Sequence, residues 1–86
     1  MNPLATRISL NSSDRDYLRT LVERAKASKT PGLLDDEDVR LAHTSPSAEY
    51  YQGAVGRLLE EQCLARPYFL KGQFCPTEKG LAVLNA

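Results

Sequence analysis

Apolar and polar residues alternate over the first ten positions and then change to a helical spacing. One side of an extended chain would carry Leu4, Thr6, Ile8 and Leu10. This two-residue period is typical of a half-buried strand, and it also fits a short extended arm. Residues 1–10 are therefore predicted to form an N-terminal strand or arm. The length of the rest, residues 11–86, predicts a single small domain.

The next segment predicts a first helix that begins near Ser13 and ends before Pro31. Ser13 followed by Asp16 fits an acidic capping box. Apolar residues then recur at helical spacing, namely Tyr17, Leu18, Leu21, Val22 and Ala25. Pro31 and Gly32 do not continue a helix comfortably, so the helix is expected to end within "SKTPG".

A cluster of acidic residues marks the start of a second predicted helix in "LLDDEDVRLAH". We expect this helix to begin after Asp35, because the positive end of the helix dipole favours carboxylates in the first turn. Its buried side is predicted to be Leu34, Val39 and Ala42, with Leu41 on the flank.

A third helix is predicted from Pro46 to Gln62, after the break "TSPS". Ser45 is the expected N-cap, and proline suits the first helical position. The buried stripe is predicted to consist of Ala48, Tyr51, Ala54, Val55, Leu58, Leu59 and Gln62. Gly53 and Gly56 lie inside this helix, although each glycine costs a helix about 1 kcal/mol relative to alanine.

The period changes again in "ARPYFLKGQFCP", which predicts a β-hairpin with its turn at Lys71–Gly72. Thr77 is then the expected N-cap of a short closing helix, weakened by Gly80. The fold class is therefore mainly helical, with three helices, a small hairpin and a short C-terminal helix. The short link between the second and third helices fits a helix-turn-helix, and the hairpin after them fits a wing.

Residues 34–84 resemble winged helix-turn-helix domains of the MarR and PadR type. The resemblance rests on "RLLEE" at residues 57–61 and "TEKG" at residues 77–80, in register with the hairpin between them. It implies a DNA-binding regulator, often a dimer, whose third helix enters the major groove. The family usually has glycine where this chain has Cys63, in a left-handed conformation at the helix end.

The outer face of the third helix is predicted to be the binding surface. Opposite the buried stripe it carries Glu49, Gly53, Gly56 and Glu60, flanked by Gln52 and Arg57. The two glycines are expected to form one shallow groove that another backbone can approach. The full candidate set for DNA or partner binding is Ser47, Glu49, Gln52, Gly53, Gly56, Arg57, Arg66, Lys71 and Gly72.

Charge leaves two functional hypotheses open. DNA affinity depends mainly on lysine and arginine contacts to phosphate, yet the chain has no net charge. Residues 33–44 carry a net charge of −3 and residues 45–65 a net charge of −2. One hypothesis is a dimeric regulator of double-stranded DNA. The other is a winged-helix module that binds a protein through the same helix and the aromatic residues Tyr50, Tyr68 and Phe69.

No catalytic or cofactor motif is apparent in the sequence, and a non-enzyme is expected. His43, Cys63 and Cys75 are too few and too widely spaced for a structural zinc site, so we expect neither metal nor cofactor. No apolar run approaches the roughly 18 residues that cross a bilayer, and no signal peptide is apparent. The expectation is a cytoplasmic protein without membrane contact, with reduced thiols.

Overall fold

A computed structural model of the chain describes residues 10–44, 47–67 and 72–85. Within these ranges the fold is mainly helical, with a small three-stranded antiparallel sheet. The elements in chain order are α1 (Ser12–Ala27), β1 (Leu34–Asp35), α2 (Asp36–Ala42), α3 (Ala48–Glu60), β2 (Leu64–Ala65), β3 (Gln73–Pro76) and α4 (Glu78–Asn85). Several predictions fall outside the described residues: the strand or arm over residues 1–9, the cap at Ser45 and Pro46, and the positions Tyr68, Phe69 and Lys71.

Helix α1 begins at Ser12, two residues earlier than the predicted N-cap Ser13 allows. The N-cap is Asn11, whose Oδ1 accepts a hydrogen bond from the Asp14 backbone N–H at 2.8 Å. The capping box of Ser13 and Asp16 is therefore wrong, because the extended Asn11 is itself a strong cap and leaves Ser13 inside the helix. The predicted apolar stripe of this helix is confirmed, since all five of its residues are buried.

Strand β1 was not predicted, because two residues carry no readable period. Leu34 pairs with Phe74 and Asp35 with Gln73, so β1 joins the predicted hairpin to make the strand order β1-β3-β2. The start of α2 after Asp35 is confirmed. Asp35 accepts from the Asp38 N–H, and the Asp38 carboxylate accepts from the Asp35 N–H, which completes a capping box.

Helix α3 is shorter than predicted at both ends. It begins after Ser47 and ends at Glu60, so Ala48 is exposed and Gln62 lies beyond the helix. Gln62 has a φ of 62°, and the Cys63 N–H donates to the carbonyl oxygen of Leu58. The helix thus ends in a Schellman motif with Gln62 in the left-handed position, one residue before the Cys63 position that the family resemblance implies.

The hairpin after α3 is confirmed, with β2 antiparallel to β3 and Gly72 at a φ of 74°. Leu64 lies opposite Pro76, and Ala65 lies opposite Cys75. The N-cap at Thr77 is also confirmed, since its Oγ1 accepts from the Gly80 N–H at 3.0 Å. The hairpin therefore leads directly into α4.

The core lies between α1, the sheet and the inner faces of α2 and α3. Its largest fully buried apolar side chains are Leu18, Leu21, Leu34, Val39, Leu58 and Leu64. Tyr17 reaches across this core from α1, and its O–H donates to the Val39 carbonyl oxygen at 2.5 Å. On α3 the buried residues are Ala54, Val55 and Leu58, which leaves the opposite face of the helix available to a partner.

Candidate binding face of the third helix

Arg57 is held inside the fold by a buried carboxylate. Its Nε lies 2.7 Å from Oδ2 of Asp14, and its Nη2 lies 2.9 Å from Oδ1 of the same residue. Only 2% of the Asp14 side chain is exposed, against 43% of the Arg57 side chain. The hydrogen bonds that Arg57 donates to the Asp14 carboxylate raise the pKa of Arg57 above its usual range. This two-point contact ties the first turn of α1 to the last turns of α3.

Gly53 belongs to the same neighbourhood. It is half-buried, and a Cβ atom placed on it would lie 3.6 Å from Nη1 of Arg57. Gly56 is exposed, and a Cβ atom there would meet nothing within 4 Å. The expected single groove over both glycines is therefore wrong. The Arg57 side chain fills the space at Gly53, and only Gly56 faces an open space.

That open space is a groove of about 430 Å³ between α2, α3 and the sheet, which we call the Gly56 groove. Helix α3 contributes Tyr51, Gln52, Val55, Gly56 and Leu59 to it. The facing wall consists of Asp36 and Val39 from α2, Arg66 after β2, and Phe74 from β3. Helices α1 and α2 and strand β2 pack against α3 and leave Gly56 exposed beside the groove.

Arg66 and Phe74 form the sheet side of this groove. The Arg66 guanidinium lies over the Phe74 ring, 5.2 Å from its centroid, in a cation–π contact. A smaller adjoining cavity of about 280 Å³ is lined by Asp36, Arg66, Gly72 and residues 73–74. Of the predicted binding residues, the structure therefore gathers Gln52, Gly56, Arg66 and Gly72 in one region.

The remaining predicted residues lie elsewhere or differ in environment. Ser47 and Glu49 are exposed at the start of α3, and the Ser47 hydroxyl makes no capping hydrogen bond. Gly53 and Arg57 lie on the α1 side of the helix. Lys71 is outside the described residues. The predicted set is thus not one site, since Gly53 and Arg57 are separated by α3 from the residues at the Gly56 groove.

Asp14 is the residue that the sequence analysis missed. An acidic residue in the first turn of a helix normally interacts with the helix dipole at the surface, and nothing local distinguishes Asp14 from such a residue. Its partner is 43 residues away in the chain. The one available signal was Arg57 itself, the single basic residue within residues 45–65.

The other chemistry-bearing residues do not assemble into a reactive site. Among the described residues, no three or more histidine, cysteine, aspartate or glutamate side chains are grouped so that they could hold a metal ion. His43 caps the end of α2 and meets the Tyr17 ring edge-on, with centroids 4.8 Å apart. Cys63 is buried, which raises the pKa of its thiol.

In the described parts of the chain, no helix has the length and apolar character needed to span a membrane.

Comparison with known proteins adds no family to this description. No protein-family model, curated protein or solved structure matches the chain. The assignment of a function therefore depends on the geometry of α3 and its surroundings.

Proposed function

We propose that this chain is a non-enzymatic winged helix-turn-helix module that binds another protein through the exposed side of α3. The order of its elements and the strand order β1-β3-β2 support the winged-helix assignment. In that arrangement α3 is the helix that meets a partner, and the β2–β3 hairpin is the wing.

The observation that carries the choice of a protein partner is the contact between Arg57 and Asp14. Arg57 is the only basic residue of α3, and the Nε–Nη2 edge of its guanidinium is turned to a buried carboxylate. The exposed residues that α3 offers to a partner are then Ala48, Glu49, Tyr50, Gln52, Gly56 and Glu60. Carboxylates on this face repel the phosphates of a duplex and attract cationic groups of a protein.

A sequence-specific DNA regulator is the second candidate. The helix-turn-helix arrangement of α2 and α3 favours it, because this arrangement places a helix in the major groove. Phosphate contacts would then come from Arg40, Arg66 and Lys71, and a homodimer would read two half-sites. Both candidates are consistent with a cytoplasmic protein, which we also propose.

A photo-crosslinking amino acid at Gln52 distinguishes the two partners. Gln52 is exposed and borders the Gly56 groove. The proposal expects irradiation in source cells to give an adduct that protease removes and nuclease leaves intact. The same crosslinker at Ala27, an exposed residue at the end of α1, is the control for chance encounters. A nuclease-sensitive adduct specific to Gln52 would establish the DNA candidate instead.

Duplex binding in solution gives an independent check. The proposal expects labelled mixed-sequence duplexes to bind no more tightly than the non-specific range of about 10⁻⁴ to 10⁻⁶ M. Affinity well above that range, falling steeply between low salt and about 0.2 M salt, would indicate phosphate contacts and contradict the proposal.

A further inference from the structure

The Gly56 groove combines an apolar interior with a place where a partner can reach the helix backbone. Tyr51, Val55 and Leu59 line it from α3, and Phe74 faces them from the sheet. At Gly56 the α3 backbone carries no side chain, and a Cβ atom there would meet nothing within 4 Å. A partner can therefore approach the helix closely at this position. The volume of about 430 Å³ is in the range of concave binding sites.

Negative charge borders the groove. Glu49 precedes Gly56 by seven residues and Glu60 follows it by four, so both lie on the same side of α3. Asp36 contributes a third exposed carboxylate from the first turn of α2. Among the described residues that line or border the groove, Arg66 is the one cation, so the net charge is −2. Its guanidinium lies over Phe74, and no described ion pair joins it to Asp36.

These features specify the chemistry of the partner. Resting on the proposed function, we infer that the Gly56 groove binds a protein segment that inserts one large apolar side chain beside Gly56 and carries lysine or arginine residues next to it. The apolar residue covers the partly exposed side chains of Tyr51 and Leu59, and the cations pair with Glu49, Glu60 and Asp36. Burial of an anchor supplies affinity, while the charged rim selects the partner and speeds association.

The test uses a phage-displayed library of random 12-residue peptides, selected against the full chain. The expected result is enrichment of peptides in which an aromatic or large aliphatic residue lies within four positions of lysine or arginine. A fluorescein-labelled peptide from the selection then gives dissociation constants by anisotropy for the wild type and for two variants of the groove.

The first variant, Gly56→Trp, fills the groove with a side chain. A Cβ atom at this position meets nothing within 4 Å, and loss of a helical glycine favours α3, so the variant is expected to fold. We expect it to weaken the peptide at least about tenfold. Ala82→Trp, at an exposed position of α4, controls for an added surface tryptophan.

The second variant, Glu60→Lys, reverses one charge of the rim at an exposed position where a cation suits the helix dipole. It is expected to weaken the peptide about threefold to tenfold at low salt and less at high salt. Glu23→Lys on α1 makes the same charge change away from the groove and is expected to have no effect.

Several results would overturn the inference. These are enrichment of no peptide, enrichment of acidic peptides, or equal binding to Gly56→Trp and wild type. Duplex DNA binding that Gly56→Trp abolishes would assign the groove to nucleic acid and also overturn it. The crosslink at Gln52 tests the proposed function separately. A protein adduct at Gln52 would support protein binding even if the peptide experiments showed that the Gly56 groove is not the binding site.

Discussion

A Cβ atom on Gly80 would overlap the carbonyl oxygen of Cys63. Gly80 is buried in the first turn of α4, and Cys63 follows the left-handed residue that ends α3. Thr77 joins the same two segments, because its N–H donates to the Cys63 carbonyl at 3.1 Å and its Oγ1 lies 2.6 Å from the Gln62 carbonyl. The start of α4 is therefore pressed onto the end of α3, and this contact requires a residue without a side chain.

Gly80→Ala is expected to lower the free energy of unfolding by about 1–3 kcal/mol, because the added methyl group forces the two backbones apart. Helix propensity alone predicts the opposite sign. Urea denaturation of the purified variant measures the change. Gly56→Ala is the matched control, since Gly56 is also helical but has free space, and it is expected to stabilise the protein by about 0.5–1 kcal/mol. Equal effects of the two substitutions would contradict the close contact.

The two variants of the Asp14–Arg57 pair are expected to differ in stability. Arg57→Ala leaves a buried carboxylate without its partner and is expected to cost about 2–3 kcal/mol, less than a fully buried pair because Arg57 is partly exposed. Asp14→Ala leaves a half-exposed guanidinium that water can solvate, and is expected to cost about 1–2 kcal/mol. Urea denaturation of both variants and of the double variant gives the coupling between the residues.

The opposite order, or a change below about 0.5 kcal/mol in both variants, would mean that Arg57 is not held in place by Asp14. Arg57 would then be available to a partner, and α3 would offer a cation to the phosphates of a DNA duplex. The stability of Arg57→Ala is thus also a check on the proposed function.

Helix periodicity predicted most of the fold, because apolar spacing and cap chemistry are local. The stripe of α1 and the capping acid Asp35 follow from neighbouring residues alone. Where two good caps compete, as Asn11 and Ser13 do, the sequence does not decide between them. The left-handed residue at the end of α3 is a similar case, since neither Gln62 nor Cys63 is glycine. Gln62 takes the left-handed conformation, and Cys63 is buried in the core.

The candidate site was less predictable, because its geometry depends on contacts between distant segments. Helical spacing alone places Gly53 and Gly56 on one outer face. The two positions differ because Asp14, on another helix, draws the Arg57 side chain across Gly53. Strand β1 is likewise defined by its partner β3 rather than by a pattern of its own.

The two thiols are expected to react at different rates. Cys63 is fully buried and its pKa is raised by desolvation, whereas Cys75 is half-buried on β3. A disulfide reagent should therefore modify one thiol per chain quickly and the second only as the protein unfolds. Absorbance of the released thiolate follows both phases. In Cys75→Ser the fast phase should disappear, and its persistence there would place Cys63 at the surface.

Tyr17 is expected to make the protein less stable at alkaline pH. Burial raises the pKa of its phenol, with a further contribution from Tyr51, and its O–H donates to the Val39 carbonyl oxygen. Below the unfolded-state pKa of about 10, both states are protonated and the contribution is fully present. Above it, the unfolded state loses the proton while the folded state keeps it, so stability falls by up to about 1.4 kcal/mol per pH unit.

Comparison of wild type with Tyr17→Phe isolates this effect, because every other ionisable group is present in both proteins. At neutral pH the variant is expected to be less stable by about 1 kcal/mol, through loss of the hydrogen bond to Val39. From about pH 10 upward the difference should shrink and then reverse, since phenylalanine has no proton to lose. Urea denaturation at a series of pH values measures it. The control is Tyr50→Phe, at a position that is 63% exposed, and its stability should follow that of the wild type at every pH. A constant difference between wild type and Tyr17→Phe would show that the Tyr17 phenol titrates alike in the folded and unfolded states.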